Sequence, residues 1–163
     1  MAEHTLRVRA AEEADRPWLA EAVAGAWGSD SALSRGRLIE HPSSLPGLIA
    51  ERDGRRIGFA LLRLERGELE VVALQSVEQW QGAGTALLEA VKAEAKRLGA
   101  RRAWLVTTND NLDAARFYQR RGWDWVAFHR DAVTESRALK PEISEVGAYG
   151  IPLRHELEFE VSV

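Results

Sequence analysis

Apolar and polar residues alternate along some stretches of this chain and follow a helical spacing along others. Short alternating stretches predict strands, whereas apolar positions one helical turn apart predict amphipathic helices. The predicted strands are residues 6–9, 47–52, 56–64, 68–75, 103–107, 123–129 and 155–161. The predicted helices are residues 10–27, 29–40, 81–98 and 110–121. No internal repeat interrupts this succession.

Tight reversals connect three of the predicted strands. Asp53-Gly54 and Arg66-Gly67 are residue pairs that favour hairpin turns, so residues 47–75 predict an antiparallel meander. A helix, a strand, a second helix and two more strands follow the meander. This order predicts one α/β domain over residues 1–163, with a mixed, mostly antiparallel sheet and helices on both of its faces.

The last two predicted strands are separated by residues 130–150, a long connection that contains Lys140-Pro141 and two glycines. Connections of this length inside a domain usually carry a function or a helix of their own. The final strand alternates apolar residues with Glu156, Glu158 and Glu160. These glutamates either attract a cationic amine or mark an exposed edge strand. Three tryptophans on predicted strands are expected in the core: Trp104, Trp123 and Trp125.

Composition narrows the classes of function. The chain has 163 residues and 45% apolar content, enough for one domain with a proper core. It has no cysteine, which excludes disulfides, thiolate metal sites and a cysteine acyl-enzyme. A net charge of -3 with scattered basic residues argues against nucleic acid as a partner. Without a signal-like or membrane-length apolar run, we expect a soluble, cytoplasmic protein with no membrane partner. The four histidines lack metal-ligand spacing, so no metal is expected.

A glycine-containing turn joins the third meander strand to the next helix. Gly82 and Gly84 stand at the start of that helix, where free backbone N–H groups can bind a pyrophosphate. A P-loop does not fit, because no lysine follows these glycines. A dinucleotide fingerprint does not fit either, because Leu87 replaces its third small residue. Taken alone, the turn is equally consistent with a tight connection.

Two motifs together resemble the GNAT-type N-acetyltransferase superfamily. The first, Gln-x-x-Gly-x-Gly, comprises Gln79, Gly82 and Gly84 after a strand. The second is a helix that runs from Asn111 through an Ala and a Phe to Tyr118 and is closed by Arg-Gly-Trp. The resemblance covers about residues 50–128.

The resemblance implies an acyl-CoA N-acyltransferase fold that uses acetyl-CoA as cosubstrate. The acceptor would be a primary amine of a small molecule or peptide, and the protein a monomer or homodimer. Backbone amides of residues 81–85 would hold the pyrophosphate, and the strand near Leu74 would pair with the pantetheine arm. Asn111 would help to fix that arm, although it is also a good helix N-cap. The implied cofactor-binding residues are Ala73, Leu74, Gln79, Gln81, Gly82, Ala83, Gly84, Thr85, Asn111, Ala114 and Phe117.

Three residues are candidates for the chemistry. Tyr118 stands where the superfamily keeps the tyrosine that faces the thioester sulfur, and it is the candidate acid for the departing thiolate. Its alternative role is that of a half-buried helix aromatic. An alkyl ammonium titrates at about pH 10, so the acceptor must lose a proton before it attacks. Glu68 and Glu70 share one strand face and are the candidate bases. Their alternative is to be solvent-facing carboxylates, with a water chain as the proton acceptor.

Without cysteine, direct transfer within a ternary complex is the simplest scheme. An alternative function is a non-catalytic sensor that keeps the acyl-CoA site without turnover, and a weaker one is a nucleotide-dependent oxidoreductase. Residues 130–150 are expected to form part of the acceptor wall, because such connections vary where scaffolds do not. The identity of the acceptor does not follow from the resemblance.

Overall fold

The fold is a seven-stranded mixed sheet with helices on both faces and a separate two-stranded hairpin. It is seen in a computed structural model that describes residues 5–76 and 82–163. The strands are β1 (Leu6–Ala10), β2 (Ser31–Ser34), β3 (Arg37–Glu40), β4 (Gly47–Arg52), β5 (Arg55–Glu65), β6 (Glu68–Ser76), β7 (Arg102–Thr108), β8 (Asp124–His129) and β9 (Glu156–Ser162). The helices are α1 (Arg16–Trp27), α2 (Ala83–Arg97), α3 (Leu112–Arg120) and α4 (Ala132–Leu139).

The strand order in the main sheet is β1-β4-β5-β6-β7-β9-β8. Among the described residues, every pairing in this sheet is antiparallel except that of β6 with β7, so the predicted mixed, mostly antiparallel sheet is confirmed. The meander is confirmed as β4-β5-β6. Its two turns place Asp53-Gly54 and Arg66-Gly67 at positive φ, the geometry that matches the twist of a hairpin.

Residues 29–40 were predicted as a helix, and this prediction is wrong. They form the hairpin β2–β3, in which Ala32 pairs with Ile39 and both side chains are buried. Arg35 and Gly36 make the turn with φ of 51° and 77°. A helix would place Gly36 in its interior at a cost of about 1 kcal/mol, whereas the tight turn uses its left-handed conformation.

Strand β9 lies between β7 and β8, so it is a central strand and β8 is the sheet edge. The prediction of an exposed glutamate edge is therefore wrong: Glu156 and Glu158 are 4% and 5% exposed. Trp125, on the edge strand β8, is 50% exposed and does not belong to the core as predicted. The long connection 130–150 carries its own helix, α4.

Two apolar clusters hold the helices against the sheet. The larger one lies on the face covered by α2 and α3 and includes Leu87, Val91 and Tyr118. The smaller one lies on the opposite face, where Leu19 and Val23 of α1 pack against β4, β5 and β6. Helices on both faces are therefore confirmed, and the two sides of the central strands have different environments.

A buried carboxylate joins β1, the start of α1 and β5. Asp15 is 1% exposed and accepts hydrogen bonds of 2.7 and 2.8 Å from the Arg9 guanidinium. It also accepts from Arg56 Nε at 2.8 Å and from the Glu12 amide at 2.7 Å. Because these donors come from three segments, the cluster fixes α1 on its face of the sheet.

Candidate active site

The centre of the sheet opens between β6 and β7. These parallel strands pair only at Leu69 with Ala103 and at Glu70 with Trp104. Beyond that point β6 continues beside β5 as far as Ser76, and β7 continues beside β9 as far as Thr108. A gap between two parallel strands therefore opens toward their carboxyl ends, where ligands bind in open α/β sheets.

A β-bulge reverses the facing of β6 beside this gap. Leu62 pairs with Val71 and Leu61 with Ala73, so Val72 is an extra residue on β6. As a result Val71 faces the α2 side, whereas Ala73 belongs to the cluster beneath α1 and Leu74 packs on the α2 side. The predicted cofactor residues Ala73 and Leu74 therefore line opposite sides of the opened strand.

Helix α2 begins next to the gap. Gly82 is its N-cap with φ 79°, a left-handed conformation that favours glycine. The first-turn amides of Ala83, Gly84 and Thr85 lack partners within the helix, and this turn carries no acidic side chain. A helix N-terminus of this kind attracts anions. Gln79 and Gln81, also predicted to bind cofactor, lie outside the described residues.

The second glycine of the turn has a packing role. A Cβ at Gly84 would lie 3.0 Å from Phe117 Cζ, so its absence lets α3 approach the start of α2. Arg121 lies over the Phe117 ring at 3.7 Å from the centroid and donates to Thr85 Oγ1 at 2.7 Å. Sequence reasoning gave Arg121 no role, although its place one helical turn after Phe117 was a usable signal. It brings a positive charge to the α2 N-terminus.

Tyr118 lies in the core on the α2 side of the sheet. Its ring packs against Phe117, Trp123 and Phe159 at centroid distances of 5.5, 6.2 and 5.6 Å. Burial raises the pKa of Tyr118 to about 12, so the hydroxyl is protonated at neutral pH. It makes no hydrogen bond within residues 5–76 and 82–163. The tyrosine is thus a proton donor without a protein acceptor among these residues.

Asn111 occupies the N-cap of α3. Its Oδ1 accepts a hydrogen bond from the amide of Ala114 at 3.1 Å, which is the capping geometry. The side chain is therefore engaged by its own helix, in line with the capping role that the sequence left open.

The two predicted bases lie on the face of β6 opposite α2, and arginine engages both. Glu68 forms ion pairs with Arg101 at 3.4 Å and with Arg102 at 3.3 Å. Glu70 is 2% exposed and accepts from Arg63 Nη2 and from Ser34 Oγ, each at 2.6 Å. Both carboxylates are thus held in ion pairs. Glu70 is buried, whereas 28% of the Glu68 side chain is exposed, so the solvent-facing alternative is wrong for Glu70 alone.

The β2–β3 hairpin covers this face of the sheet. Besides the Ser34 bond to Glu70, the Arg35 guanidinium lies over the Trp104 ring at 4.1 Å from its centroid. A cavity of about 100 Å³ remains between the hairpin and the β5–β6 turn. Its lining residues are Arg35, Arg37, Glu65, Arg66, Glu68, Glu70 and Trp104.

The long connection is tied back to the start of α3. Asn109 donates to Pro152 O at 2.9 Å and accepts from the amides of Arg154 and His155. Asp110 accepts from the Ala148 amide at 2.8 Å. Gly147 lies so close to Asp110 that a Cβ there would overlap the Asp110 carboxylate. These bonds fix residues 147–155 beside the carboxyl end of β7.

No group of three or more acidic or histidine side chains that could hold a metal ion is present in the described parts of the chain. Among the same residues, no helix is both long and apolar enough to cross a bilayer.

Two parallel central strands that part beside a helix N-terminus, within this strand order, define an acyl-CoA N-acyltransferase fold. Comparison with known proteins gives the same class. A family model described as "Acetyltransferase (GNAT) family" matches residues 9–123, more than half of the chain. Uncharacterized protein YdhI of Bacillus subtilis (strain 168) is 39% identical over 135 residues, which are 82% of this chain and 83% of that protein. The chain therefore belongs to the GNAT family of acetyltransferases.

Solved structures share the fold at low sequence identity. A Bacillus subtilis acetyltransferase in complex with CoA superposes with a TM-score of 0.70 and 19% identity, covering 98% of this chain and 99% of that one. A GNAT family acetyltransferase from Elizabethkingia anophelis with acetyl-CoA bound gives a TM-score of 0.69 and 15% identity, covering 97% and 98%.

Proposed function

We propose that this protein transfers an acetyl group from acetyl-CoA to a primary amine, directly within a ternary complex. The observation that carries the proposal is the gap between β6 and β7, which lies between the α2 N-terminus on one face and a carboxylate-rich face on the other. The CoA and acetyl-CoA complexes of proteins with the same fold support it.

The residues around the gap fit an acyl-CoA ligand. The amides of Ala83, Gly84 and Thr85 would hold its pyrophosphate, and Arg121 would add a positive charge beside them. The edge of β6 at Ala73 and Leu74 would bind the pantetheine arm, since β7 no longer pairs there. Gln79 and Gln81 are proposed to complete the phosphate site. Asn111, Ala114 and Phe117 form the adjoining start of α3, which borders the arm.

The chain's own groups provide each requirement of amide formation. Backbone N–H donors of the bulged β6 would stabilise the negative charge that develops on the thioester oxygen. The Tyr118 hydroxyl, which is protonated at neutral pH, would give its proton to the departing thiolate. The absence of cysteine leaves direct attack by the amine as the simplest route. Glu68 and Glu70 lie on the acceptor side of the gap, each in an ion pair with arginine.

We further propose that the acetyltransferase domain extends over residues 1–163, beyond the matched 9–123. Strand β1 starts at Leu6 and pairs with β4, and β9 ends at Ser162 and pairs with β7. Both strands belong to the sheet that contains the gap, so removing either exposes a strand that is central to the fold.

Isothermal titration with acetyl-CoA, combined with thiol release across a panel of amines, tests the proposed function. We expect saturable binding and acetyl transfer to at least one amine. Absence of acetyl-CoA binding at millimolar concentration contradicts the proposal, whereas binding without transfer to any amine or peptide supports the sensor alternative.

The phosphate turn gives a sharper prediction with a matched control. Gly82 and Gly99 stand at opposite ends of α2 with φ of 79° and 71°, and neither has a close neighbour where a Cβ would be. Gly82→Ala and Gly99→Ala should each lower the free energy of unfolding by about 1 kcal/mol, the cost of a left-handed alanine. Only Gly82→Ala should also raise the Kd of acetyl-CoA, by about tenfold for 1.4 kcal/mol of lost binding. Titration calorimetry measures the Kd of acetyl-CoA for each variant, and equal Kd values for the two variants contradict the assigned phosphate site.

A further inference from the structure

Strands β6 and β9 place five glutamates on the sheet face opposite α2, and four of these five are neutralised by neighbouring cations. Arg102 binds Glu158 at 2.8 Å, Glu160 at 3.0 Å and Glu68 at 3.3 Å. His129 adds a contact of 3.0 Å to Glu158, and Arg63 holds Glu70. Burial raises the pKa of Glu158, but the hydrogen bonds from Arg102 and His129 outweigh it and hold that pKa below its usual range. These four carboxylates are structural ion-pair partners.

Glu156 differs from the other four. It is 4% exposed, and its Oε1 is fully buried without a hydrogen-bond partner among the described residues. The backbone amides of Arg35 and Gly36, at the hairpin tip, lie close enough to the carboxyl group to oppose the rise of its pKa. A buried oxygen left unsatisfied costs about 1–3 kcal/mol, so the arrangement is not explained by stability. It leaves an acceptor position open to a ligand.

Glu156 lies beside the gap between β6 and β7. It pairs with Thr108, the last residue of β7, at the level where β7 no longer pairs with β6. Its neighbours Leu157 and Phe159 face the core on the α2 side, so Glu156 faces the opposite side. A thioester that enters from α2 and passes between the strands would present its carbonyl carbon toward this face.

We propose that Glu156 is the acceptor site of the enzyme: it binds the ammonium group of a small primary alkylamine and removes its proton. This inference rests on the acetyl transfer proposed above. The hairpin and α4 cover the site, where a Cβ at Gly36 would lie 3.3 Å from Glu135 Oε2, so a slender amine fits better than a lysine on a folded protein. Entry requires the hairpin tip to move, which breaks the Ser34–Glu70 hydrogen bond and the contact of Arg35 with the Trp104 ring.

The reaction balances in protons and bonds. One N–H proton of the ammonium passes to Glu156, and the freed lone pair forms the C–N bond to the acetyl carbon. The C–S bond then breaks, and the thiolate takes the Tyr118 proton. A proton from Glu156 returns through water to the tyrosinate, and the second N–H proton of the amine leaves to solvent. The products are an amide, CoA thiol and one proton.

The electrostatics of the site suit this role. Burial raises the pKa of Glu156 to about 7, the amides of Arg35 and Gly36 oppose the rise, and the charge of Glu70 adds to it. A base is most effective when its pKa lies near the working pH. Three charged or titratable groups face Glu156: Arg35 from the hairpin, Glu70 from β6 and His129 from β8, which pairs with Glu156 in the sheet. Helix α4 adds Glu135 at the hairpin tip.

The test is a pH profile of thiol release with n-butylamine, 1,4-diaminobutane and a short peptide with a free amino terminus and a lysine. The wild type should use at least one alkylamine, and its kcat/KM should fall as pH drops through about 7. Glu156→Gln should lower kcat/KM at pH 7 by about tenfold or more, because a general base contributes at least a tenfold rate increase. The variant should also lose the limb of the pH profile near pH 7, that is, the fall of kcat/KM with decreasing pH. Its melting temperature should not fall, because a neutral amide is buried more easily than a carboxylate.

Two variants serve as controls. Glu160→Gln alters the same face of the same strand, and His129→Gln removes the neighbouring imidazole; both should keep the limb near pH 7. A Glu156→Gln enzyme with wild-type kcat/KM and an unchanged limb overturns the proposal. So does a wild type that binds acetyl-CoA but acetylates only the peptide. Loss of acetyl-CoA binding in the wild type, in contrast, contradicts the proposed function itself.

Discussion

Replacing Tyr118 by phenylalanine is expected to lower kcat by about 100-fold, the lower end of what general acid catalysis contributes. The hydroxyl has a pKa of about 12 because it is buried, so it carries a proton at every pH at which the enzyme would be assayed. Without it the thiolate must leave unprotonated or find a water. Steady-state thiol release with the best amine of the panel measures the change, and titration calorimetry should give an unchanged Kd for acetyl-CoA.

The same variant separates catalysis from packing. The Tyr118 ring makes the aromatic contacts, while its hydroxyl makes no hydrogen bond within the described residues. Tyr118→Phe keeps the ring, so the melting temperature should stay within a degree or two of the wild type. A variant with full kcat shows that this tyrosine is a core aromatic, and a variant that unfolds shows that the hydroxyl is structural.

Replacing Asp15 by asparagine is expected to lower the free energy of unfolding by about 3 kcal/mol at pH 7, as when one partner of a buried ion pair is removed. Arg9 and Arg56 would lose their shared carboxylate, and the start of α1 would lose its link to β1 and β5. Urea titration followed by circular dichroism measures the loss. Asp124→Asn, at an exposed position, should change the free energy of unfolding by less than about 0.5 kcal/mol.

The Asp15 effect depends on pH with a defined sign. The hydrogen bond from Arg9, assisted by Glu12 and Arg56 and opposed by burial, lowers the pKa of Asp15. A lowered folded-state pKa contributes stability above the unfolded-state value of about 3.9, and that stability is lost as the pH falls through the folded-state pKa. The gap between wild type and Asp15→Asn should therefore shrink as pH drops from 5 to 2. A constant gap contradicts an electrostatic origin.

Local turn chemistry made most of the fold predictable. Asp53-Gly54 and Arg66-Gly67 were interpreted correctly as hairpin turns, because long apolar strands flank them. Arg35-Gly36 has the same left-handed geometry but was interpreted as part of a helix. Its flanking strands have four residues each, too few for alternation to compete with a helical spacing of the same apolar residues. These residues form strands because they pack on the main sheet, and this packing cannot be inferred from the local sequence.

The glycine N-cap of α2 and the helix that carries Tyr118 were predictable because the residues of each motif are adjacent in sequence. The surroundings of Glu156 were not, since they depend on the insertion of β9 between β7 and β8 and on the hairpin tip. An alternating Glu-Leu-Glu-Phe-Glu sequence predicts a strand with one polar face, whether that strand lies at the edge or in the centre of a sheet. The strand order places β9 between two other strands. It results from long-range strand pairing, which the periodicity of apolar residues along the sequence does not encode.

Within residues 5–76 and 82–163, strands β2 and β3 pair only with each other, so their residues can be exchanged without breaking any ladder of the seven-stranded sheet. Its tip nevertheless supplies Ser34 and Arg35 to the covered glutamates. On the proposed assignment, ten contiguous residues, 31–40, shape the acceptor side but take no part in the strand pairing of the seven-stranded sheet. Exchanging residues 31–40 would therefore alter the proposed acceptor side and leave the strand pairing around the proposed cofactor site unchanged.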